Sequence, residues 1–206
     1  MLEPGNIRAI DYAIQHLPAG SQVVEIGSFC GLSTNVITWA RRRHGCSARF
    51  FTCDKWQFEG ADAPGRPMGD GGLTFGEFRM HVRDSFLRNL RTFSRHDLPY
   101  TLEMLSDEFF QAWSSGAEVD DVFKRTVCPG GAIGFCYIDG NHTYKQAKKD
   151  FLNTDSFLTP GGFILFDDSA DDSPFEVNKV VQEALANHPY DLVARCPNYL
   201  LVKRES

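Results

Sequence analysis

The segment VVEIGSFCGLST, residues 23–34, constrains the fold more than any other part of the chain. An apolar run around Glu25 is typical of a strand, and Gly27 and Gly31 interrupt it before helical periodicity begins at Leu32. A strand that passes through a glycine turn into a helix opens a βαβ unit. The segment therefore predicts an α/β domain.

The rest of the chain alternates in the same way. Apolar residues at helical spacing predict helices at 7–17, 32–44, 77–93, 107–113, 144–158 and 175–188. Shorter apolar runs predict strands at 22–27, 48–54, 100–105, 134–139, 161–168, 190–196 and 198–204. This order predicts a doubly wound, mostly parallel seven-stranded sheet. Since almost nothing separates the last two strands, the last strand is expected to run antiparallel.

Composition limits the domain count and the partners. A length of 206 residues with 42% hydrophobic residues suits one domain over residues 1–206. The net charge of -6 argues against a nucleic-acid partner, and the lack of a long apolar run argues against a membrane span. Six cysteines without a C-x-x-C motif are typical of a reduced, cytoplasmic protein. Assembly into a homodimer stays open.

One long segment interrupts the compact pattern. Residues 57–96 begin with a stretch rich in glycine and proline and read as an insertion. Long loops in compact domains are often functional, so we expect this segment to act as a substrate lid. Phe75, Phe78 and His81 are candidates for the acceptor pocket.

The glycine turn indicates which ligand it holds. Its pattern is E-x-G-x-x-x-G, and Phe29 and Leu32 occupy positions where a dinucleotide-binding turn needs glycine, which disfavours an NAD oxidoreductase. The turn still offers backbone N–H groups and a helix N-terminus, which suit a single carboxylate. Glu25 suits an ammonium or a sulfonium group. An amino acid joined to a nucleoside fits these features.

Acids after the next strands extend this interpretation. Asp54 ends the second strand, where an acid can accept hydrogen bonds from two ribose hydroxyls. Trp56 could cover an adenine face, and Asp107 could accept from the adenine amino group. A capped turn for Asp54 and a core position for Trp56 are the alternatives. Taken together, these positions make S-adenosylmethionine the best ligand.

Three stretches carry a resemblance to a known family. VVEIGSFCGLS, the strand-end Asp54 and the pair IDGNHTY and GGFILFDD resemble class I methyltransferases. They are similar to the macrocin and aminocoumarin sugar O-methyltransferase group and to catechol O-methyltransferases. The resemblance implies a Rossmann-like methyltransferase fold and S-adenosylmethionine as cofactor. The predicted cofactor-binding residues are Glu25, Gly27, Ser28, Gly31, Ser33, Asp54, Trp56, Asp107 and Asp139.

Three carboxylates follow two strands that should be neighbours. Asp139 ends one strand, and Asp167 and Asp168 end the next. Such charges repel unless a cation neutralises them, and an all-oxygen set suits Mg²⁺ or another hard divalent cation. The resembling families place a divalent metal here. Because successive strand residues point to opposite faces, Asp167 and Asp168 can share a metal only if the chain turns.

A simpler interpretation of these acids stays open. The segment could be a solvated acidic loop that ends at a helix start, where Ser173 and Glu176 have capping-box spacing.

His142 is the candidate general base. It lies three residues after Asp139, before a helix that Thr143 and Gln146 would cap. Catechol enzymes place a lysine base at this offset, and Asp139 is the second catalytic candidate. A histidine that only hydrogen-bonds a carboxylate or the cofactor is the alternative.

Together these patterns predict a metal-assisted O-methyltransferase. Its acceptor would be a small hydroxylated molecule, either sugar-containing or catechol-like. A metal-independent N- or C-methyltransferase and a cofactor-binding module without transfer activity are the alternatives.

Overall fold

The computed structural model of the chain describes residues 2–58, 63–70 and 72–205; residues 59–62 and 71 of the predicted lid lie outside these ranges. The helices are α1 (Pro4–Gln15), α2 (Leu32–Arg43), α3 (Phe75–Phe93), α4 (Ser106–Ser115), α5 (Tyr144–Asp155) and α6 (Val177–Asn187). The strands are β1 (Gln22–Ile26), β2 (Phe50–Cys53), β3 (Tyr100–Leu102), β4 (Val119–Asp120), β5 (Thr126–Val127), β6 (Ile133–Ile138), β7 (Leu158–Phe166), β8 (Tyr190–Arg195) and β9 (Tyr199–Lys203).

Seven of the strands form one sheet in the order β3-β2-β1-β6-β7-β9-β8. The pairs from β3 to β7 are parallel, whereas β9 is antiparallel to both β7 and β8. Only residues 196–198 separate β8 from β9, and so short a link cannot cross the sheet. The doubly wound, mostly parallel sheet with an antiparallel last strand is therefore confirmed.

Helices cover both faces of this sheet. α1 and α2 bury Ile10 and Ile37 on one face. α4, α5 and α6 bury Phe109, Phe151 and Val181 on the other. Of the helices in the described ranges, none has the length and apolar character needed to cross a membrane.

Much of segment 57–96 is α3, which connects β2 to β3. The helix begins at Phe75, two residues before the predicted start, because Thr74 and Glu77 form a capping box. Its buried side packs against Trp56 in a third apolar cluster. The role of the segment as a lid stays a prediction.

Two local expectations were wrong or incomplete. Helix α6 begins at Val177 rather than at 175, and its N-cap residue, Glu176, makes no side-chain capping hydrogen bond. The Ser173 hydroxyl instead accepts from the backbone N–H of Phe175, and Glu176 pairs with Lys179. The short antiparallel ribbon of β4 and β5 has no counterpart among the predicted strands.

The parallel strands end at the same level. Ile26 pairs with both Cys53 and Ile138, and Ile138 pairs with Phe166. Backbone hydrogen bonds continue for one residue past these ends. The next residues therefore form a row along the carboxyl edge of the sheet: Gly27, Asp54, Asp139 and Asp167.

We expect Gly5→Ala to destabilise the fold by about 1–3 kcal/mol, as overpacking does when no rotamer change relieves it. A Cβ at Gly5 would lie 1.6 Å from the backbone carbonyl oxygen of Cys196, where α1 meets the β8–β9 turn. Urea unfolding measures the change. Gly65→Ala is the control, because a Cβ there meets no described atom within 4 Å. Equal stability of the two variants would contradict this packing.

Candidate active site at the carboxyl edge of the sheet

The glycine turn between β1 and α2 lies at the centre of this edge. Gly27 has φ +82°, and a Cβ there would lie 2.0 Å from the carbonyl oxygen of Asp139. Only glycine allows the two loops to touch in this way. Gly31 precedes α2 with φ +84°, and among the described residues no side chain caps the helix. The first N–H groups of α2 are thus suited to a carboxylate.

Glu25 lies behind the turn and is fully buried. Its Oε2 accepts a hydrogen bond from Thr34 Oγ1 at 2.6 Å. Its Oε1 has no hydrogen-bond partner among the described residues. Burial raises the pKa of Glu25 from 4.5 to about 7, because the effect of desolvation on the pKa is larger than the opposing effect of hydrogen bonding. Ser33, a predicted cofactor residue, is buried in the first turn of α2.

Asp54 binds the glycine turn itself. Its Oδ2 accepts from the backbone N–H groups of Ser28 and Phe29, each at 2.8 Å, and its Oδ1 accepts from that of Trp56 at 2.6 Å. Burial raises the pKa of Asp54, and these bonds oppose the rise. The Ser28 hydroxyl also lies 3.4 Å from Oδ2, so a ribose hydroxyl would compete with this long contact for the last of about four acceptor positions. The ribose contact stays a prediction, and the structure adds a role in holding the turn.

The predicted adenine contact of Trp56 needs correction. Its indole ring is 1% exposed and lies 5.3 Å from the Phe86 ring, centroid to centroid. Its Nε1–H donates to the carbonyl oxygen of Phe29 at 2.9 Å. The ring is part of the core beneath α3 and presents no open face to a ligand.

Asp107, the predicted partner of the adenine amino group, already has two partners in the protein. It lies in the first turn of α4 and forms an ion pair with Lys149 of α5. Asn153 of the same helix donates to its other oxygen at 3.4 Å. An adenine amino group would have to share the carboxylate with these donors, so the adenine contact of Asp107 stays a prediction.

A polar cluster beside Asp107 was missed from the sequence. Gln146 Nε2 donates to Ser106 Oγ at 3.1 Å and to Asp150 Oδ1 at 3.0 Å. Burial raises the pKa of Asp150 to about 6. The only sequence signal is the spacing of four residues between Gln146 and Asp150 on a helix.

Asp139 and Asp167 form a carboxyl pair at the ends of β6 and β7. Burial, together with the charge of Asp167, raises the pKa of Asp139 well above its usual range. Asp167 is 7% exposed, and its Oδ1 accepts from Asn6 Nδ2 at 2.6 Å and from Asn198 Nδ2 at 2.8 Å. Two carboxyl groups so close cannot both ionise cheaply without a cation.

The chain turns directly after this pair. Strand β7 ends at Phe166, and Asp168 adopts φ +52°. An extended strand would send Asp167 and Asp168 to opposite faces. The turn instead brings Asp168 Oδ2 to 3.4 Å from His142 Nδ1. The turn that a shared site requires is therefore present.

His142 lies at the same edge. Thr143 caps α5 by accepting from the N–H of Gln146, so His142 directly precedes the helix. The His142 ring lies 4.8 Å from the Phe175 ring, centroid to centroid, and its side chain is 30% exposed. The ring thus has a carboxylate beside it and an aromatic ring against it. Its role as a base stays a prediction.

The predicted metal ligands do not form one cluster. Within the described ranges, no group of three or more His, Cys, Asp and Glu residues is arranged to hold a metal ion. Asp139 pairs with Asp167, and Asp168 pairs with His142. The oxygen donors suit a hard cation, but their present arrangement is two pairs rather than one site.

This edge lies in the part of the chain that matches a known family. A family model described as a methyltransferase domain matches residues 24–169, from β1 to the turn after β7. The chain belongs to this methyltransferase family. It is an enzyme that uses S-adenosylmethionine. A sequence search against curated proteins finds no significant match for this methyltransferase.

Solved structures share the fold of the methyltransferase over nearly its whole length. The O-methyltransferase from Bacillus cereus, in complex with S-adenosylhomocysteine, has a TM-score of 0.59 and 14% identity, and the match covers 98% of this chain and 83% of that one. The O-methyltransferase NovP has a TM-score of 0.61 and 17% identity, and the match covers 98% of this chain and 80% of that one. CalS11, a TDP-rhamnose 3'-O-methyltransferase of calicheamicin biosynthesis, has a TM-score of 0.61 and 15% identity, and the match covers 98% of this chain and 80% of that one. At these identities the likeness establishes the fold.

We expect the free energy of unfolding of the methyltransferase, without cofactor, to depend on pH through Glu25. The folded-state pKa of about 7 exceeds the ordinary value of 4.5, so protonated Glu25 favours the folded state. The stabilisation of the folded state by protonated Glu25 is fully present below pH 4.5 and is lost as pH rises through 7. Its full size is about 3 kcal/mol.

Denaturant unfolding of the wild type and of Glu25→Gln at pH 5 and pH 8 isolates this term. Glu25→Gln should gain stability relative to the wild type at the higher pH. A stability difference that is the same at both pH values would contradict a buried, protonated Glu25.

Proposed function

We propose that this methyltransferase transfers the methyl group of S-adenosylmethionine to a hydroxyl oxygen of a small molecule, assisted by a divalent cation. One observation carries the proposal. The carboxyl pair of Asp139 and Asp167 lies at adjacent strand ends, and a turn places Asp168 beside His142. A module that only binds the cofactor needs neither this concentration of acids nor a histidine beside it.

The proposed cofactor site is built around the glycine turn. The first turn of α2, which no side chain in the described part of the chain caps, would receive the amino-acid carboxylate of the cofactor. Asp54, which already fixes the N–H groups of Ser28 and Phe29, would accept from a ribose hydroxyl. Asp139 borders the same turn, because its backbone touches Gly27. Both halves of the cofactor would therefore lie along one sheet edge.

Asp139, Asp167 and Asp168 would hold the cation. Their donors are all carboxylate oxygens, which suits Mg²⁺. Desolvation and the charge of Asp167 disfavour ionised Asp139, and a neighbouring positive charge would relieve this cost, which supports the proposal. When bound, the cation would supply Lewis acidity to the acceptor hydroxyl. A complete site requires Asp168 to face the other two acids as well as His142.

His142 would be the general base. Its neutral imidazole takes the hydroxyl proton, and the acceptor oxygen forms a bond to the methyl carbon. The carbon–sulfur bond breaks, and its electron pair stays on the sulfur of S-adenosylhomocysteine. Asp168 Oδ2, 3.4 Å from Nδ1 of His142, would help to orient the ring. Phe175 covers part of the His142 ring and limits water access on that side.

The acceptor would be a small hydroxylated molecule, sugar-containing or catechol-like. A sugar is the acceptor named for CalS11. The net charge of -6 favours a small molecule over a nucleic acid. A cytoplasmic location fits the six free cysteines. A metal-independent N- or C-methyltransferase is the second candidate, and a homodimer remains the oligomer to test.

Chelation tests the metal part of the proposal. We expect EDTA treatment to abolish methyl transfer to a panel of small hydroxylated acceptors, and Mg²⁺ or Mn²⁺ to restore it. Asp139→Asn should lower the rate about 10²-fold or more, since one ligand of the reacting site is lost. Asp172→Asn, an exposed acid of the loop that contains Asp167 and Asp168, is the matched control and should retain the rate. Full activity of the metal-free wild type would favour the metal-independent alternative.

The role of His142 has its own test. His142→Gln keeps a hydrogen-bonding side chain but cannot take a proton, so kcat should fall about 10²–10⁴-fold. Affinity for S-adenosylhomocysteine, measured by calorimetry, should be unchanged. His188→Gln is the control, because His188 is also 30% exposed and lies 3.6 Å from a carboxylate, Asp155. Near-normal turnover of His142→Gln would show that another group removes the proton.

A further inference from the structure

Two asparagines from opposite ends of the chain meet at Asp167. Asn6 lies in the first turn of α1, and Asn198 lies in the turn between β8 and β9. Both are buried, with 0% and 2% exposure. Each donates its Nδ2–H to Asp167 Oδ1, at 2.6 and 2.8 Å, and Asn198 Nδ2 also lies 3.2 Å from Asn6 Oδ1. The three side chains form one network.

The packing of α1 brings the two asparagines together. Gly5 touches the carbonyl of Cys196 so closely that no side chain fits between them. The thiol of Cys196 also donates to the carbonyl oxygen of Gly5 at 3.4 Å. The start of α1 is thus fixed on the β8–β9 turn, and both elements reach the end of β7.

Asn198 also shapes the turn that contains Asp168. Its Oδ1 accepts from the N–H of Ser169 at 2.9 Å. The Ser169 hydroxyl donates to the carbonyl of Phe166 at 2.8 Å and accepts from the N–H of Tyr199 at 2.9 Å. The hairpin therefore closes residues 166–169 into the conformation in which Asp168 has φ +52°.

The two asparagine amides are suitable hydrogen-bond donors for a carboxylate that binds a metal. A neutral amide donates a hydrogen bond to one oxygen of Asp167 and leaves its negative charge in place. A lysine or an arginine would neutralise that charge. Both amides donate to Oδ1, so the other oxygen takes part in neither bond. Donors behind a metal ligand orient it and tune its affinity for the metal.

We propose that Asn6 and Asn198 are positioning residues that hold Asp167 in the orientation that divalent-cation binding needs. This inference rests on the proposed metal-assisted function. It adds α1 and the final hairpin, which lie outside the family match over residues 24–169, to the parts of the chain on which the reaction depends.

The test measures Mn²⁺ binding directly, by electron paramagnetic resonance titration of the full chain. Asn6→Ala and Asn198→Ala should each weaken Mn²⁺ binding about 10–100-fold, the size found when a partner behind a ligand is removed. Affinity for S-adenosylhomocysteine should be unchanged, and kcat should fall while KM for S-adenosylmethionine stays constant. Thermal unfolding checks that each variant is folded. If Asn198→Ala does not fold, the comparison of Asn6→Ala with the wild type is the test.

Asn178→Ala is the matched control. Its amide donates to the Ser169 carbonyl at 2.8 Å and to Asp171, but it does not reach Asp167 in the structure. Its Mn²⁺ affinity should equal that of the wild type. If Asn6→Ala binds Mn²⁺ as tightly as the wild type, or if all three variants weaken binding equally, the positioning role is overturned and the metal site stands. If the wild type binds no Mn²⁺, the metal proposal and this inference fall together.

Discussion

The candidate site depends on a hydrogen-bond ladder that continues one residue past the ends of the parallel strands. The N–H groups of Gly27, Asp139 and Asp167 donate to carbonyls of the neighbouring strands at 2.8–2.9 Å. None of these residues can shift along its strand without breaking a backbone bond. Because strand side chains alternate, the acids at these ends point to the face that α1 and α2 cover. The glycine turn, the carboxyl pair and Asp54 are thus held at one level by the backbone.

This arrangement concentrates negative charge where water is scarce. Glu25, Asp139 and Asp167 interact through space, and burial disfavours the ionised form of Glu25 and Asp139. Such a cluster costs stability that the surrounding core must offset. Amide donors from Asn6 and Asn198 reduce the cost at Asp167 without supplying a positive charge. A bound cation would offset part of the remaining cost, which is the physical reason for proposing a metal site here.

The sequence predicted the features that depend on local pattern. Short apolar runs, the two glycines and the acids that follow strand ends are each readable over a few residues, and the parallel sheet brings them to one edge. The prediction that Trp56 contacts adenine went further than the pattern allowed, and the protein neighbours of Asp107 could not be foreseen. Whether the Trp56 ring faces a ligand depends on α3, and the neighbours of Asp107 come from α5. Asn6 and Asn198 carried no signal, since their meeting depends on packing between the two ends of the chain.

Calorimetry with S-adenosylhomocysteine and NAD, on the wild type and on Asp54→Asn, tests the central claim that this sheet edge holds the cofactor. The account predicts that the wild type binds S-adenosylhomocysteine and does not bind NAD. Asp54 fixes the turn through two backbone N–H groups and would also contact the ribose. Asp54→Asn should therefore weaken binding about tenfold or more, the equivalent of one charge-assisted hydrogen bond. Preference for NAD, or equal affinity of the two proteins for S-adenosylhomocysteine, would contradict it.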